Sequence, residues 1–528
     1  MSRSLTRPRR LTLVPVVTAA ALSLAAAGCS SGQPSLPPST TTTFAGAATP
    51  AGSWPYPNGD LANTRDAVGS TISSANVSQL REAWSFKLAG TAAKGVDDAG
   101  SFAANPVVVN GVVYIQDLDA NVYAVSLATG KLKWEYQVNV PEKTGPGPDG
   151  VAVAGGVVYG DTPTSVFALK ASTGSVLWND TSLLSSGQGT FEIQPQVAGG
   201  RVYLSSAYGN GSGGGILMAL NAATGKELWT FNTVIGGEPS GVTSLGLGSG
   251  GAWETPLVGT DGSVTFGIGN PYQSIGDAIS HPARDLYTDS TVNLDAATGK
   301  LRWYYQGVQN DFEDHDMQLS PITATVDGVP AVIDGGKMGY AYAMNAATGA
   351  LLWKTPVGAH NGHDNDSLLL LEHKLTIKLP YTIEPGAYGG VLTDMAVADG
   401  SVYLDIIDSA FTLTTMSTVN GAPTAAPAGE IEALSLATGK VEWDTKVTAM
   451  PLGAATVSND LVITTTYYGN LIALDRQTGA IVYSAKLPTS TNAPIAIAGD
   501  SVIIAAGSPY TTKTGGPGPA QLIAYTVP

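Results

Sequence analysis

Four carboxylates stand within six residues in the segment Asn310-Asp-Phe-Glu-Asp-His-Asp316. Asp314 and Asp316 are two residues apart, so on an extended segment their side chains would point to the same side. Hard cations prefer carboxylate oxygens of this kind. Four such charges repel one another unless a cation or solvent relieves them. The residue types therefore leave two interpretations open, a metal site and a solvated acidic loop.

A second polar cluster is His360-Asn-Gly-His363-Asp-Asn-Asp366. Two histidines and two aspartates could bind a transition metal. The glycine and asparagine around them are typical of a loop, so a lid loop without metal is the alternative that we favour.

The elements that would position these residues are repeats. A unit typified by Asn221-Ala-Ala-Thr-Gly-Lys-Glu-Leu-Trp229 recurs seven times, always with an aromatic residue four positions after the glycine. An apolar run before the turn predicts one strand, the glycine allows the turn, and the aromatic residue lies on the returning strand. The Gly/aromatic pairs are Gly130/Trp134, Gly174/Trp178, Gly225/Trp229, Gly299/Trp303, Gly349/Trp353, Gly439/Trp443 and Gly479/Tyr483. Such a tryptophan can be buried as a large plate between neighbouring sheets.

An eighth unit is divided between the two ends of the repeat region. The segment Leu80–Leu88 contains Trp84 without a preceding Thr-Gly turn, and Ala493–Val527 lacks a closing tryptophan strand. The chain is thus predicted to be all-β, an eight-bladed β-propeller closed by pairing of N- and C-terminal strands, which leaves no free sheet edge. Uneven repeat spacing places extra residues at 271–289, 354–380 and 411–429, where we expect lids and site walls.

Composition narrows the class of partner. The chain has 528 residues, 43% of them hydrophobic and 13% charged, with a formal charge of −16. This acidity argues against nucleic acid or an anionic lipid surface as the main partner.

The N-terminus predicts export. Residues 1–28 have a basic start, an apolar run and small residues, as in a secretory signal peptide. Cys29 follows at a position similar to a bacterial lipoprotein cleavage site, which predicts a lipidated Cys29 and a flexible tether over residues 29–52, with the propeller over 53–528. The expected location is extracytoplasmic, with a lipid anchor as the only attachment to the bacterial cell membrane. An ordinary signal peptide with an incidental cysteine is the alternative.

These repeats, preceded by Trp54-Pro-Tyr-Pro-Asn-Gly-Asp-Leu-Ala-Asn-Thr-Arg65, resemble the quinoprotein alcohol dehydrogenase family over essentially all of Trp54 to Pro528. Members of that family are eight-bladed propellers that carry pyrroloquinoline quinone (PQQ) and a calcium or lanthanide ion on the axis. The resemblance implies the same fold and cofactors here.

Five residues match family positions. The resemblance makes Asp314 the catalytic base and a metal ligand, Asp316 the extra ligand of lanthanide-using members, and Asn270, in Gly-Ile-Gly-Asn-Pro, another metal ligand. It places Trp253 under the quinone and Lys337 on the quinone carbonyls. The structural alternatives are a packed tryptophan, a Gly/Asn/Pro turn and a surface lysine.

The chain also departs from the family pattern. The metal-binding glutamate is missing from Ser205–Gly215, where Asn210 is the nearest available oxygen, and Asp149 stands in place of a quinone-binding arginine. Glu313 and His315 replace the usual aromatic residues. No Cys-x-x-Cys-His occurs in this sequence, so electrons would leave through a separate acceptor.

The sequence thus predicts a PQQ- and metal-dependent dehydrogenase that oxidises an alcohol or polyol outside the cytoplasm. The missing glutamate and arginine favour an alternative, a non-catalytic propeller lipoprotein that scaffolds other cell-envelope proteins. A sugar- or polymer-binding propeller that uses the long loops is a third interpretation.

Overall fold

The computed structural model describes residues 52–88, 102–138, 150–207, 215–234, 250–418, 427–507 and 520–528. The described residues all belong to one unit, Thr42–Pro528. The predicted signal peptide, the lipidation site Cys29 and all of the tether but residue 52 lie outside the described residues.

Eight antiparallel sheets, seven of four strands and one of five, form the blades of the described region and confirm the predicted eight-bladed β-propeller. In most sheets the first strand is buried and the fourth is the most exposed, so each blade runs from the central axis outward. Blade 1 consists of Val107–Val109, Val112–Gln116, Val122–Ser126 and Leu132–Tyr136, and blade 2 consists of Ala152–Ala154, Val157–Thr162, Ser165–Lys170 and Val176–Asp180. Blade 3 consists of Gln196–Ala198, Arg201–Ala207, Ile216–Asn221 and Glu227–Asn232, with Thr190–Phe191 as a fifth strand. Blade 4 consists of Leu257–Val258, Ser263–Ile268, Ser290–Asp295 and Leu301–Gln306.

The split unit closes the ring as predicted. Arg81–Lys87 pairs antiparallel with Gln521–Thr526 and forms the outer strand of blade 8. Blade 5 consists of Ile322–Val326, Val329–Gly336, Tyr340–Asn345 and Leu351–Pro356; blade 6 of Ala396–Ala398, Ser401–Asp408, Ala428–Ser435 and Val441–Val447; blade 7 of Thr456–Ser458, Leu461–Thr466, Asn470–Asp475 and Ile481–Lys486; blade 8 of Ala496–Ala498, Ser501–Ala506, Gln521–Thr526 and Arg81–Lys87.

Each outer-strand tryptophan joins its blade to the next. The indole of Trp229 in blade 3 packs on Gly299 in the turn of blade 4, where an added Cβ would lie 2.6 Å from the ring. Its Nε1 donates to the Ala296 carbonyl 3.1 Å away. The same donation, from one blade to the next, is made by Trp84, Trp134, Trp178, Trp303, Trp353 and Trp443. The repeated aromatic residue therefore connects blades, as predicted.

The turns that receive these indoles are closed locally. The Asp295 carboxylate accepts hydrogen bonds from the backbone of Ala297 and Thr298, and Gly299 has a φ of +69°. Asn221, Asn345 and Asp475 cap their turns in the same way. Only glycine adopts this φ without strain and leaves room for the indole.

Ahead of the blades, residues 54–72 run along the inner strands. Trp54 exchanges two backbone bonds with Val108 of blade 1, and further backbone bonds reach blades 5, 6, 7 and 8. The guanidinium of the fully buried Arg65 makes five hydrogen bonds, to Asn58, Asn105, Thr456 and the Ala455 and Ile495 carbonyls. This segment ties distant blades together near the axis.

The extra residues at the predicted insertions form a small cap. Helix α1 (Ile275–Ser280), helix α2 (Asp366–Leu371) and a two-stranded sheet of Tyr381–Ile383 and Phe411–Leu413 share one buried apolar cluster. Tyr381–Ile383 belongs to this cap and not to blade 6, which begins at Ala396. The two six-residue helices were not predicted. One 3₁₀ helix spans Val77–Gln79.

Among the described residues, the helices are too short and too polar to cross a bilayer.

The indole–glycine contact gives a stability prediction. Gly299→Ala and Gly328→Ala both place a methyl group at a positive φ, +69° and +80°, but only the first meets an indole, since nothing lies within 4 Å of a Cβ at position 328. We expect Gly328→Ala to lower the free energy of unfolding by about 1–2 kcal/mol from backbone strain. Gly299→Ala should cost about 1–3 kcal/mol more from overpacking. Chemical denaturation measures both, and equal losses would contradict the docking role.

Candidate functional site

Five sequence-predicted residues come from the same end of blades 4 and 5. Trp253 precedes the first strand of blade 4, and Asn270 follows its second strand. Asp314 and Asp316 lie in the connection to blade 5, and Lys337 follows the second strand of that blade. In an antiparallel sheet, the start of the first strand and the end of the second strand lie side by side at the same end of the sheet. Residues 84 positions apart in the sequence are thereby brought together.

Asp314 and Asp316 share one ammonium group. Lys337 Nζ lies 2.5 Å from Asp316 Oδ2 and 3.3 Å from Asp314 Oδ2. The backbone N–H of Lys337 also donates to the Asp316 carbonyl at 3.0 Å. Since both carboxylates reach the same nitrogen, they are close enough to share a single cation.

Neither expectation about the shape of the acidic segment is correct. It is not extended: Asn310 and Asp314 have φ values of +59° and +63°. It is not a solvated loop either, because Asp311, Glu313, Asp314 and Asp316 are all at most 4% exposed. The two left-handed residues turn the chain so that Asp314 and Asp316 converge on Lys337, which strand geometry alone would not do.

At both Asp314 and Lys337, burial and the neighbouring charges shift the pKa in opposite directions. Burial raises the pKa of Asp314 to about 8, although the ammonium of Lys337 opposes the rise. Burial disfavours the charge of Lys337, but the carboxylates of Asp314 and Asp316 outweigh it and raise the pKa of the amine. Lys337 is therefore the cation that this acidic site holds, and it is not the surface lysine of the alternative interpretation.

Asn270 links the two carboxylates from blade 4. Its backbone N–H donates to Asp316 Oδ1 at 2.7 Å, and its side-chain Nδ2 donates to Asp314 Oδ1. Its Oδ1 accepts from the Tyr272 N–H at 3.0 Å. The amide oxygen is thus turned away from the carboxylates, and a role as metal ligand requires rotation of this side chain.

Trp253 lies against the same end of blade 4. A Cβ on Gly269 would be 2.5 Å from the Trp253 ring and 2.8 Å from Asp316 Oδ1. Only glycine at position 269 lets the indole and the carboxylate approach so closely. Trp253 as a whole residue is partly exposed.

A second set of charges, not assigned by the sequence, lies behind the first. Asp311 accepts hydrogen bonds from the Glu313 and His315 backbone N–H groups. His315 Nδ1 lies 3.2 Å from the Glu313 carboxylate and its Nε2 3.0 Å from the Pro385 carbonyl. Burial opposes protonation of His315, but Glu313 and Asp311 raise its pKa to about 9. These contacts relieve the repulsion within the segment through the charge of His315 and the backbone N–H groups.

The cap rests on this acidic segment. Ser367 Oγ in α2 donates to Glu313 at 3.1 Å, and Phe312 is buried in the apolar cluster with Ile275 and Leu370. The insertions therefore form a wall of the site, as predicted.

The histidine-rich loop is part of this wall and does not assemble one metal site. His360 pairs with Asp364 and contacts the Gly339 carbonyl, whereas His363 pairs with Asp366. The two pairs are separate, which agrees with the lid loop that we favoured.

Asp289 is a further buried carboxylate that sequence reasoning missed. It is 0% exposed, and burial followed by the charges of Asp311 and Asp316 raises its pKa well above the usual range. It follows a long insertion in blade 4, and no repeat or motif marks it.

The departures from the family pattern fall partly outside the described residues, namely Asp149 and Asn210. Of the segment that lacks the glutamate, Ser205 is described, and its hydroxyl contacts the Ala252 backbone beside Trp253. Asn105, near the axis, accepts a hydrogen bond from Arg65.

Comparison with known proteins agrees with the sequence resemblance. Residues 54–154 and 259–357 match the family model described as the β-propeller domain of glucose/ethanol/alcohol dehydrogenases. Residues 141–248 and 427–524 match the model described as outer membrane protein assembly factor BamB.

Among curated proteins, a quinohemoprotein alcohol dehydrogenase of Comamonas testosteroni is 26% identical over 350 residues, 59% of this chain. A second one, ADH-IIG of Pseudomonas putida, is 29% identical over 318 residues, 53% of this chain and 42% of its own length. The chain spans about half the length of the curated relatives it matches, 48% for the first.

Among solved structures, a europium-containing methanol dehydrogenase has a TM-score of 0.72 at 20% identity, covering 90% of this chain and 98% of the other. This similarity concerns the fold. Together the comparisons confirm the predicted resemblance to quinoprotein alcohol dehydrogenases.

The shared ammonium gives a second prediction. Lys337→Met leaves two buried carboxylates without a counter-ion, so we expect the free energy of unfolding to fall by about 3 kcal/mol in metal-free buffer. Calcium or lanthanum should restore part of this loss by taking the position of the ammonium. The control Lys374→Met removes an exposed pair with Glu372 and should cost less than about 1 kcal/mol. Denaturation curves with and without each ion test this, and an unchanged metal-free stability of Lys337→Met would contradict it.

Proposed function

We propose that this protein is a PQQ- and metal-dependent dehydrogenase that oxidises an alcohol or polyol. The observation that carries the proposal is the convergence of Asp314 and Asp316 on one cationic nitrogen beside Trp253. All three residues, with Asn270 and Lys337, match the family positions for the quinone and its ion.

The residues present fit a hard cation. Asp314 and Asp316 supply two buried carboxylates already spaced around one positive charge, and Asn270 can add an amide oxygen after rotation. Oxygen ligands of this kind suit calcium or a lanthanide. The absence of the family glutamate reduces the set by one charge, which Asp316 offsets.

The residues present also fit a planar cofactor such as the quinone. The indole of Trp253 is a flat apolar group close to Asp316. Lys337 would have to leave the carboxylates when an ion takes its place, and its amine would then be free to donate hydrogen bonds to carbonyl oxygens.

When bound, the quinone and its ion supply a hydride acceptor for the alcohol carbon. Asp314 would take the hydroxyl proton, because its carboxylate lies next to the position of the shared cation. The cap above the acidic segment would limit the access of water to this base. Electrons would then pass to a separate acceptor.

The cellular location of the protein is also part of the proposal. Residues 1–28 as a signal peptide and Cys29 as a lipidated N-terminus would hold the enzyme at the outer face of the bacterial cell membrane.

A second candidate function has its own support. The match to the BamB family model over residues 141–248 and 427–524 favours a non-catalytic scaffold in the cell envelope. The missing metal-binding glutamate points in the same direction. The two candidates differ in whether the protein binds the quinone.

The first test is PQQ binding by the full chain, followed by absorbance with calcium, with lanthanum and with neither. We expect metal-dependent binding that the double substitution Asp314→Ala and Asp316→Ala abolishes. Absence of binding under all three conditions would refute the dehydrogenase and leave the scaffold.

A single substitution then separates catalysis from binding. Asp314→Asn keeps the shape of the side chain but cannot accept the proton, so we expect PQQ to remain bound while the rate of dye reduction with alcohols falls about 10²- to 10⁴-fold. The control Asp327→Asn, in an exposed hairpin, should leave both unchanged. A dye-reduction rate within threefold of the parent would show that Asp314 is not the base.

A further inference from the structure

A second acidic cluster lies on the outer two strands of blade 6, where the chain that leaves blade 5 contacts that blade. Glu430 and Glu432 are two residues apart on one strand of blade 6 and so face the same side. Asp444 stands opposite Glu432 on the outer strand. One carboxylate oxygen from each of the three lies within 4.8 Å of the others.

The charges of this cluster do not balance. Glu430 is 1% and Glu432 5% exposed. Lys446 contacts Glu430 and lies 3.4 Å from Asp444, but its own side chain is 65% exposed. Three carboxylates and one ammonium leave two negative charges, and the exposed ammonium is screened by water. Buried carboxylates in such an excess are costly unless a cation accompanies them.

One carboxylate oxygen of Glu432 lacks a partner. Glu432 Oε1 accepts a hydrogen bond from the Gly358 N–H at 3.3 Å, whereas Oε2 is buried without a hydrogen-bond partner.

We propose that Glu430, Glu432 and Asp444 bind one divalent cation of the calcium type. The donors are all oxygens, as hard cations require, and three carboxylates against one exposed ammonium give the cluster an excess of negative charge. Lys446 is free to turn into solvent when the ion enters, because most of its side chain is already exposed. This site does not depend on the proposed function.

The position of the cluster indicates what the ion would do. The chain leaves blade 5 at Gly358 and Ala359, whose N–H groups bond to Glu432 and Asp408 of blade 6. A Cβ on Gly358 would be 2.6 Å from Ile406, so the two blades are in close contact here. From this point the chain continues into α2 and the cap. An ion held by Glu432 would therefore fix the base of the cap to blade 6.

The test uses the full chain with Asp314→Asn and Asp316→Asn, which removes the axial carboxylates, after treatment with EDTA. Isothermal titration with calcium alone should show one binding site. Adding Glu432→Gln or Asp444→Asn should weaken it at least tenfold, and calcium should slow proteolysis within residues 357–389 only while the site is intact.

Matched controls keep the result interpretable. Glu442→Gln removes an exposed carboxylate from the strand that carries Asp444. The Glu442 carboxylate is bonded to Ser401, and its loss should leave the calcium affinity within twofold of the parent value. Lys446→Met removes the competing ammonium and should strengthen binding. Glu432→Gln removes a buried charge without changing shape, so folding should persist, as circular dichroism would show. The proposal would be overturned if the axial-site variant bound no calcium. It would also be overturned if adding Glu432→Gln or Asp444→Asn left the calcium affinity of that variant unchanged.

Discussion

The insertion of each outer-strand indole into the glycine turn of the next blade is the contact on which the propeller depends. It combines a buried aromatic surface with a directed bond from the indole N–H to a backbone carbonyl. Because a tryptophan is the widest side chain and glycine the narrowest, the pair defines both the distance and the order of adjacent sheets. The final strand pairing between Arg81–Lys87 and Gln521–Thr526 then closes the ring. A closed ring holds the ends of blades 4 and 5 at a constant separation, which is what positions Asn270 against Asp314.

Inside this frame the main energetic problem is negative charge. The described part of the chain buries many carboxylates, and three buried cationic side chains, Arg65, His315 and Lys337, each contact several oxygens. A charge removed from water is tolerated only when it is paired and hydrogen-bonded. The places where the pairing is incomplete or exchangeable, around Lys337 and around Glu432, are therefore the places where an external cation would bind most favourably.

The insertions connect these two places. Residues that interrupt the regular repeats form α1, α2 and the small sheet, and they share an apolar cluster with Phe312 of the acidic segment. Ser367 and Pro385 bond to Glu313 and His315, so the cap also completes the electrostatics below it. The regular blades provide rigidity, whereas the irregular segments provide the environment of the site.

Much of the fold followed from local chemistry that repeats along the chain. The Thr-Gly turn, the aromatic residue four positions later and the orphan strand at Trp84 are short-range features, and they were enough to predict eight blades and their closure. The order of Trp253, Asn270, Asp314 and Lys337 in the sequence was likewise enough to place them in one site by resemblance.

The tertiary structure alone decided burial and partners. The sequence could not tell that the acidic segment is buried, that Lys337 rather than water neutralises it, or that His315 pairs with Glu313. Nor could it associate Gly358 with Glu432, which lie 74 residues apart. A strand pattern reports which side of a sheet a residue faces, but the pKa and the partners of a carboxylate depend on every blade and insertion packed around it.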